Sequence, residues 1–159
     1  MYKSQSEMVK DWLMAYRNEE KEIDSQLEKI RELRARIMSI GAQEITDMPR
    51  VPVKIRDVLA EYVIRMEELE EKMGERVRKH EEDRKAILRL LDRLQKYDER
   101  QIIKQRYLFG REWTDVLKEV YKKANNFDSK QDSYRRKMYR AHDSALCMMA
   151  RMWDEKRPD

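Results

Sequence analysis

From Val9 an apolar side chain returns at every seventh position, through Tyr16, Ile23, Ile30 and Ile37, and Trp12, Leu33 and Ile40 mark the partner position of the same seam. A second series runs Leu59, Met66, Met73, His80, Ile87 and Leu94, supported by Tyr62, Leu69, Val77, Leu90 and Leu91. A seven-residue repeat keeps one stripe of an α-helix turned toward a partner, so both series predict long amphipathic helices with a coiled-coil-like seam. Three Gly and three Pro in 159 residues leave few places for such helices to end. The charged fraction of 43%, against about 25% in an average globular chain, supplies their solvated outer faces, such as EEKEID and EELEEK. The fold class expected is all-α.

Between the two series lies GAQEITDMPRVPVK, with Gly41, Pro49 and Pro52. Residues before proline are pushed out of the helical region, so the helices are expected to stop across a linker at 41–54. Two seams of similar length joined this way bury each other as a long antiparallel helical hairpin, placed at residues 1–95. In that register facing residue numbers sum to roughly 96 to 98, which sets His80 near Trp12 and Tyr16. Gly74 inside the second helix costs about 1 kcal/mol relative to alanine and marks the expected weak point. Apolar side chains left over from the seam, such as Met38 and Val63, make the hairpin the expected route to a homo-oligomer.

After Leu94 the pattern shortens. DERQIIKQRYLFG predicts a helix with Ile102, Ile103, Tyr107 and Leu108 inward, closed by Gly110, the residue that best tolerates a left-handed end. REWTDVLKEVYKKA predicts a second, with Trp113, Val116, Leu117, Val120 and Tyr121 inward, and NNFDS breaks the chain. Ser129 with Asp132 forms a capping-box-like start to a third helix reaching about Trp153, which buries Met138, Ala141, Ala145, Leu146 and Met149, and the last residues, DEKRPD, are expected to fray. His142 is expected exposed and neutral, and Cys147 buried as a small hydrophobe. Residues 96–154 are thus read as a separate C-terminal helix-turn-helix domain.

Charge placement narrows the function. The net charge is +4, and all of the excess lies in 98–159, with 15 Lys and Arg against 11 Asp and Glu; the residues before it carry 21 of each. Lys130, Arg135, Arg136, Lys137 and Arg140 face only Asp132 between 130 and 140, with Tyr134 and Tyr139 interleaved. A basic stripe on the second helix of such a pair is an electrostatic footprint for phosphate, and Arg can take guanine O6 and N7 bidentately. A solvated helix face gives the same composition, so the stripe alone leaves both readings open.

Other classes fit less well. No apolar run is long enough to span a membrane and no secretory leader is evident. The one cysteine suits a reducing compartment, so the expected location is cytoplasmic. Two histidines and one cysteine, far apart and without a Gly-rich phosphate loop, point away from an enzyme. His80 reads as a packed seam residue with no second ligand at metal spacing, and no cofactor or metal is expected.

The segment IIKQRYLFGREWTDVLKEV resembles the region 4 helix-turn-helix of sigma-70-type RNA polymerase sigma factors, in the version found in small phage and prophage transcriptional regulators of the ArpU-like group. Arg106-Tyr107, Gly110, Arg111 and Trp113 carry the likeness, YRAHDSAL at 139–146 resembles the end of the group's recognition helix, and the Trp12-Leu13, Tyr16-Arg17 and Met48-Pro49-Arg50 segments agree in outline. Two departures stand out: about eleven extra residues, YKKANNFDSKQ, separate the two helices, and Glu112 occupies a position where Ser or Thr would cap. The resemblance implies a promoter-binding transcriptional regulator, an activator or accessory factor that reads double-stranded DNA through Arg135, Arg136 and Arg140, with Lys137 and Tyr139 toward the backbone; the basic stretch itself adds Lys130 toward phosphate. The resemblance also implies RNA polymerase as a partner. The competing class is a helical structural or interaction protein, or a phage DNA-packaging component.

Overall fold

The computed structural model describes residues 3–47 and 53–154, with the side chains of 42–47, 53–55 and 154 outside that description. The protein is all-α: α1 (Gln5–Asp47), α2 (Val53–Arg93), α3 (Tyr97–Ile103), a π-helical turn (Lys104–Leu108), α4 (Trp113–Tyr121) and α5 (Gln131–Asp154). Among the described residues no helix is long and apolar enough to cross a membrane.

The chain divides into two compact units, Met1–Glu19 with Glu82–Asp159, and Glu20–Glu81. The division expected near residue 95 is therefore corrected: the first turns of α1 and the last turns of α2 belong with the C-terminal helices. The physical cause is one core. Val9, Leu13 and Tyr16 of α1 and Ile87, Leu90, Leu91 and Leu94 of α2 are buried together with Ile103, Tyr107, Ala145, Leu146 and Met149. The heptad seam does bring α1 and α2 side by side and antiparallel here, but the sides it leaves open are closed by α3 and α5. Trp12 accordingly meets Trp153 edge-on, with ring centroids 4.3 Å apart.

In the Glu20–Glu81 unit the same two helices form the antiparallel hairpin proper. Its core is small: Ile23, Ile30 and Met73 are buried, with Met66 and Leu69 packed beside them. Arg34 pairs with Glu70 and Glu20 with the buried His80 across the hairpin. His80 thus faces Glu20, a few residues further along α1 than the expected Trp12 and Tyr16. The heptad pattern is compatible with neighbouring registers, and charged partners select among them. Met38, Val58, Ile64 and Val77 are exposed, and Val63 is half-buried.

The helix stop expected at Gly41 is also corrected, since α1 continues to Asp47 and α2 is helical from Val53. A single glycine costs about 1 kcal/mol, too little to end a long helix with helix-forming neighbours. Pro49 and Pro52 lie outside the described residues, as do the last five residues.

Candidate functional site

α4 and α5 pack through a second core, in which Val116, Leu117 and Tyr121 of α4 meet Met138 of α5 and Ile102 of α3. The segment between them, 122–130, is built rather than slack. Phe127 is buried in that core. Backbone N–H groups of Ala124, Phe127 and Lys130 donate to Tyr121, Ala124 and Asn126 carbonyls at 3.0 to 3.1 Å. Ser129 Oγ donates to the Asn126 carbonyl at 3.1 Å, and the Tyr134 hydroxyl to Asn126 Oδ1. Ser129 is therefore spent inside the turn and does not cap α5, which begins two residues later at Gln131. Asp132 sits in the first turn as expected, where its charge complements the helix dipole.

All six expected site residues, Lys130, Arg135, Arg136, Lys137, Tyr139 and Arg140, are exposed. They do not form one stripe. At 3.6 residues per turn Arg136 and Arg140 stand one above the other, diametrically away from the buried side chains of Met138, Ala145 and Met149. Arg135 lies about 100° around the helix from Arg136, 3.9 Å from Asp132. Tyr139 is on that same flank, its ring edge-to-face with Trp113 at 5.2 Å. Lys137 takes the opposite flank, with Nζ 5.7 Å from the centre of the Tyr121 ring. None of Lys130, Arg136, Lys137 and Arg140 has a carboxylate partner among the described residues.

Cys147 continues the outward line of Arg140 one heptad on and is exposed, contrary to the expected burial. A shallow concavity of about 480 Å³ at the start of α5 is lined by Lys130 and Arg136 but equally by Asp128 and Asp132. Two carboxylates make it a poor seat for a phosphate.

What holds α5 from behind is a polar and aromatic network that the apolar pattern does not announce. His142, expected exposed, is buried; its Nε2 lies 2.7 Å from the Tyr107 hydroxyl and its Nδ1 3.6 Å from Asp143. Burial pushes its pKa down to about 4, so the ring is neutral at pH 7. With Nδ1–H turned toward Asp143, Nε2 accepts the hydroxyl proton of Tyr107. Burial also raises Tyr107 to about 12, keeping it a donor. Trp113 meets His142 edge-on at 4.9 Å, and the Arg106 guanidinium lies 4.7 Å over the Trp113 ring.

Gly110 has φ 65°, a conformation open to glycine, and it follows the end of the helical run as expected, although that run finishes in a π-helical turn rather than as one α-helix. Buried Arg17 donates to its carbonyl at 3.0 Å and to Glu112 Oε1 at 3.1 Å. Arg106 Nη1 donates to the Arg111 carbonyl at 3.0 Å. This explains Glu112 at the N-cap of α4. It makes no side-chain cap there; its carboxylate serves Arg17 and Arg106, and the hydrogen bond from Arg17 holds it below its usual pKa. The pairing of Arg17 with Glu112 was not legible, because nothing in local spacing links residues 95 positions apart.

Comparison with protein-family models, with curated proteins and with solved structures finds no match.

Proposed function

We propose that this chain is a DNA-binding transcriptional regulator that lays the outward face of α5 in the major groove of promoter DNA. The observation that carries the reading is the pair Arg136 and Arg140: exposed, one turn apart, unpaired with carboxylate, and projecting from a helix whose opposite side is anchored by Met138, His142 and Ala145. Two guanidinium groups at that spacing suit bidentate contacts to successive base pairs. The unit that carries them has 23 Lys and Arg against 17 Asp and Glu, while Glu20–Glu81 has 13 against 15, so attraction to phosphate is concentrated where the arginines are.

The transcriptional part of the reading, including contact with RNA polymerase, rests on the resemblance to sigma region 4. The residues that carry that likeness, Arg106, Tyr107, Gly110, Arg111 and Trp113, are those that close the π-helical turn and brace α5. A helix used for reading bases benefits from such bracing, because a rigid side-chain platform loses less entropy on docking. The two-helix pair has a longer connection than the family's tight turn, so the docking angle is its own.

The experiment is a binding series on a duplex selected from a random pool and on scrambled duplex, at several salt concentrations. Arg136→Ala is expected to cost about 1–3 kcal/mol on the selected duplex and much less on the scrambled one. Lys137→Ala is expected to weaken both alike and lower the salt slope by about one unit. Equal losses for the two variants on every duplex would remove base reading, and no saturable binding by the wild type would remove the DNA reading altogether.

A further inference from the structure

The connection 122–130 is a feature of this chain rather than of the family it resembles, and its order requires an account. Phe127 plugs it into the α4–α5 core, and three successive backbone turns close it. Its first two residues, Lys122 and Lys123, are exposed. They follow directly on Tyr121, whose ring also carries the ammonium group of Lys137 at 5.7 Å. Lys122 and Lys123 are thus the two residues that follow the one whose ring Lys137 overlies. Their only carboxylate contact among the described residues is Lys122 to Glu119 at 3.6 Å, itself shared with Arg111 at 3.5 Å.

Cations at a helix C-terminus do stabilise it by complementing the dipole, but that effect falls off within the last turn and is screened by salt. One lysine would serve it. Exposed lysines on both sides of Tyr121, along α4 and across from α5, raise the local positive potential, and an anion lying across them would be drawn to it.

We propose that Lys122 and Lys123, with Lys137, form a second phosphate-backbone contact on duplex DNA, set beside the base-facing line of Arg136 and Arg140. This rests on the DNA reading above and extends it: the connection replaces a tight turn by an ordered platform that grips the sugar-phosphate strand flanking the bases read by α5. Contacts of this kind fix register and orientation and carry no sequence information.

The test compares the full chain with Lys122→Ala/Lys123→Ala and with Lys21→Ala/Lys29→Ala, a control pair of exposed lysines in the Glu20–Glu81 unit. On selected and scrambled duplexes the connection variant is expected to lower the slope of log affinity against log salt by about two units, alike on both, with the ratio of the two affinities unchanged. The control pair is expected to leave the slope as it is. Thermal unfolding is measured alongside.

A connection variant that melts lower but binds with the wild-type slope would assign these lysines to the α4 dipole and overturn the proposal while leaving the DNA reading intact. An equal drop in slope for the control pair would reduce the effect to net charge and overturn it as well. A collapsed ratio between selected and scrambled duplex would make the connection a base reader, against the proposal. A wild type that binds neither duplex would overturn the DNA reading and this contact together.

Discussion

The Tyr107 hydroxyl and His142 Nε2 lie 2.7 Å apart where the π-helical turn packs on α5, and both side chains are buried. This contact ties the π-helical turn to the middle of α5 and makes the packing sensitive to protonation.

The neutral ring sets a pH dependence of stability. The folded state holds His142 at about 4 against an ordinary value of 6.5. Below 6.5 the unfolded chain takes up a proton that the folded chain refuses, so stability falls as pH drops toward 4 and the loss levels off below it. The size is on the order of 3 kcal/mol. Urea unfolding at steps between pH 7 and 4 checks this. His142→Gln, which cannot titrate, is expected to flatten the dependence in that window, whatever its stability at pH 7.

The N-terminal turns of α1 are a structural part of the α5 unit. Leu13 is fully buried in the core shared with Ile87, Ile103 and Met149. Leu13→Ala is expected to cost about 2–5 kcal/mol. Removing residues 1–95, which the sequence pattern marks as a separable hairpin, is expected to leave a fragment without cooperative unfolding, because Val9, Leu13, Tyr16, Ile87 and Leu94 leave with it. Calorimetry on the fragment and on the full chain distinguishes the two.

Two glycines are expected to respond with opposite sign. A Cβ at Gly74 would meet nothing within 4 Å in the middle of α2, so Gly74→Ala is expected to stabilise the hairpin by up to about 1 kcal/mol. Gly110 also has open space but sits at φ 65°, and Gly110→Ala is expected to destabilise by about 1 kcal/mol from backbone strain alone. Melting temperatures of the two variants give the comparison directly.

The arginines of α5 are expected to be unequal. Arg135 is turned about 100° from Arg136 and lies 3.9 Å from Asp132. Arg135→Ala is therefore expected to reduce affinity for a selected duplex less than Arg136→Ala or Arg140→Ala does. A loss at Arg135 matching those two would place the DNA-facing line on the Tyr139 flank.

The helices and their inward residues were largely legible, because burial in an amphipathic helix repeats at 3.6 or 3.5 residues and needs no knowledge of the partner. Ile102, Ile103, Tyr107, Val116, Leu117, Met138 and Met149 are buried as that spacing predicts. The partner itself was less so. A heptad seam tells two helices to pair but not where along their length each pair of turns finds a third neighbour, so the hairpin was assigned too much of the chain. His142 and Cys147 exchanged their expected environments for a related reason: hydropathy sets cysteine inside and histidine outside, whereas position around α5 decides otherwise once Tyr107 offers a hydrogen bond. The basic face was visible as composition, and its division into a central pair and two flanks needed the helix to be oriented by its core.

The two-part composition of the α5 unit also has a consequence for biosynthesis. Val9, Leu13 and Tyr16 leave the ribosome well before their partners on α2, α3 and α5, which are made only after residue 86. These first turns of α1 must wait, their apolar stripe uncovered, while Glu20–Glu81 emerges and can begin to pair locally. Closing the unit then joins segments far apart in sequence, which slows its folding relative to the hairpin's. α5 follows all the other helices described, so the basic face takes its place only after they have been made.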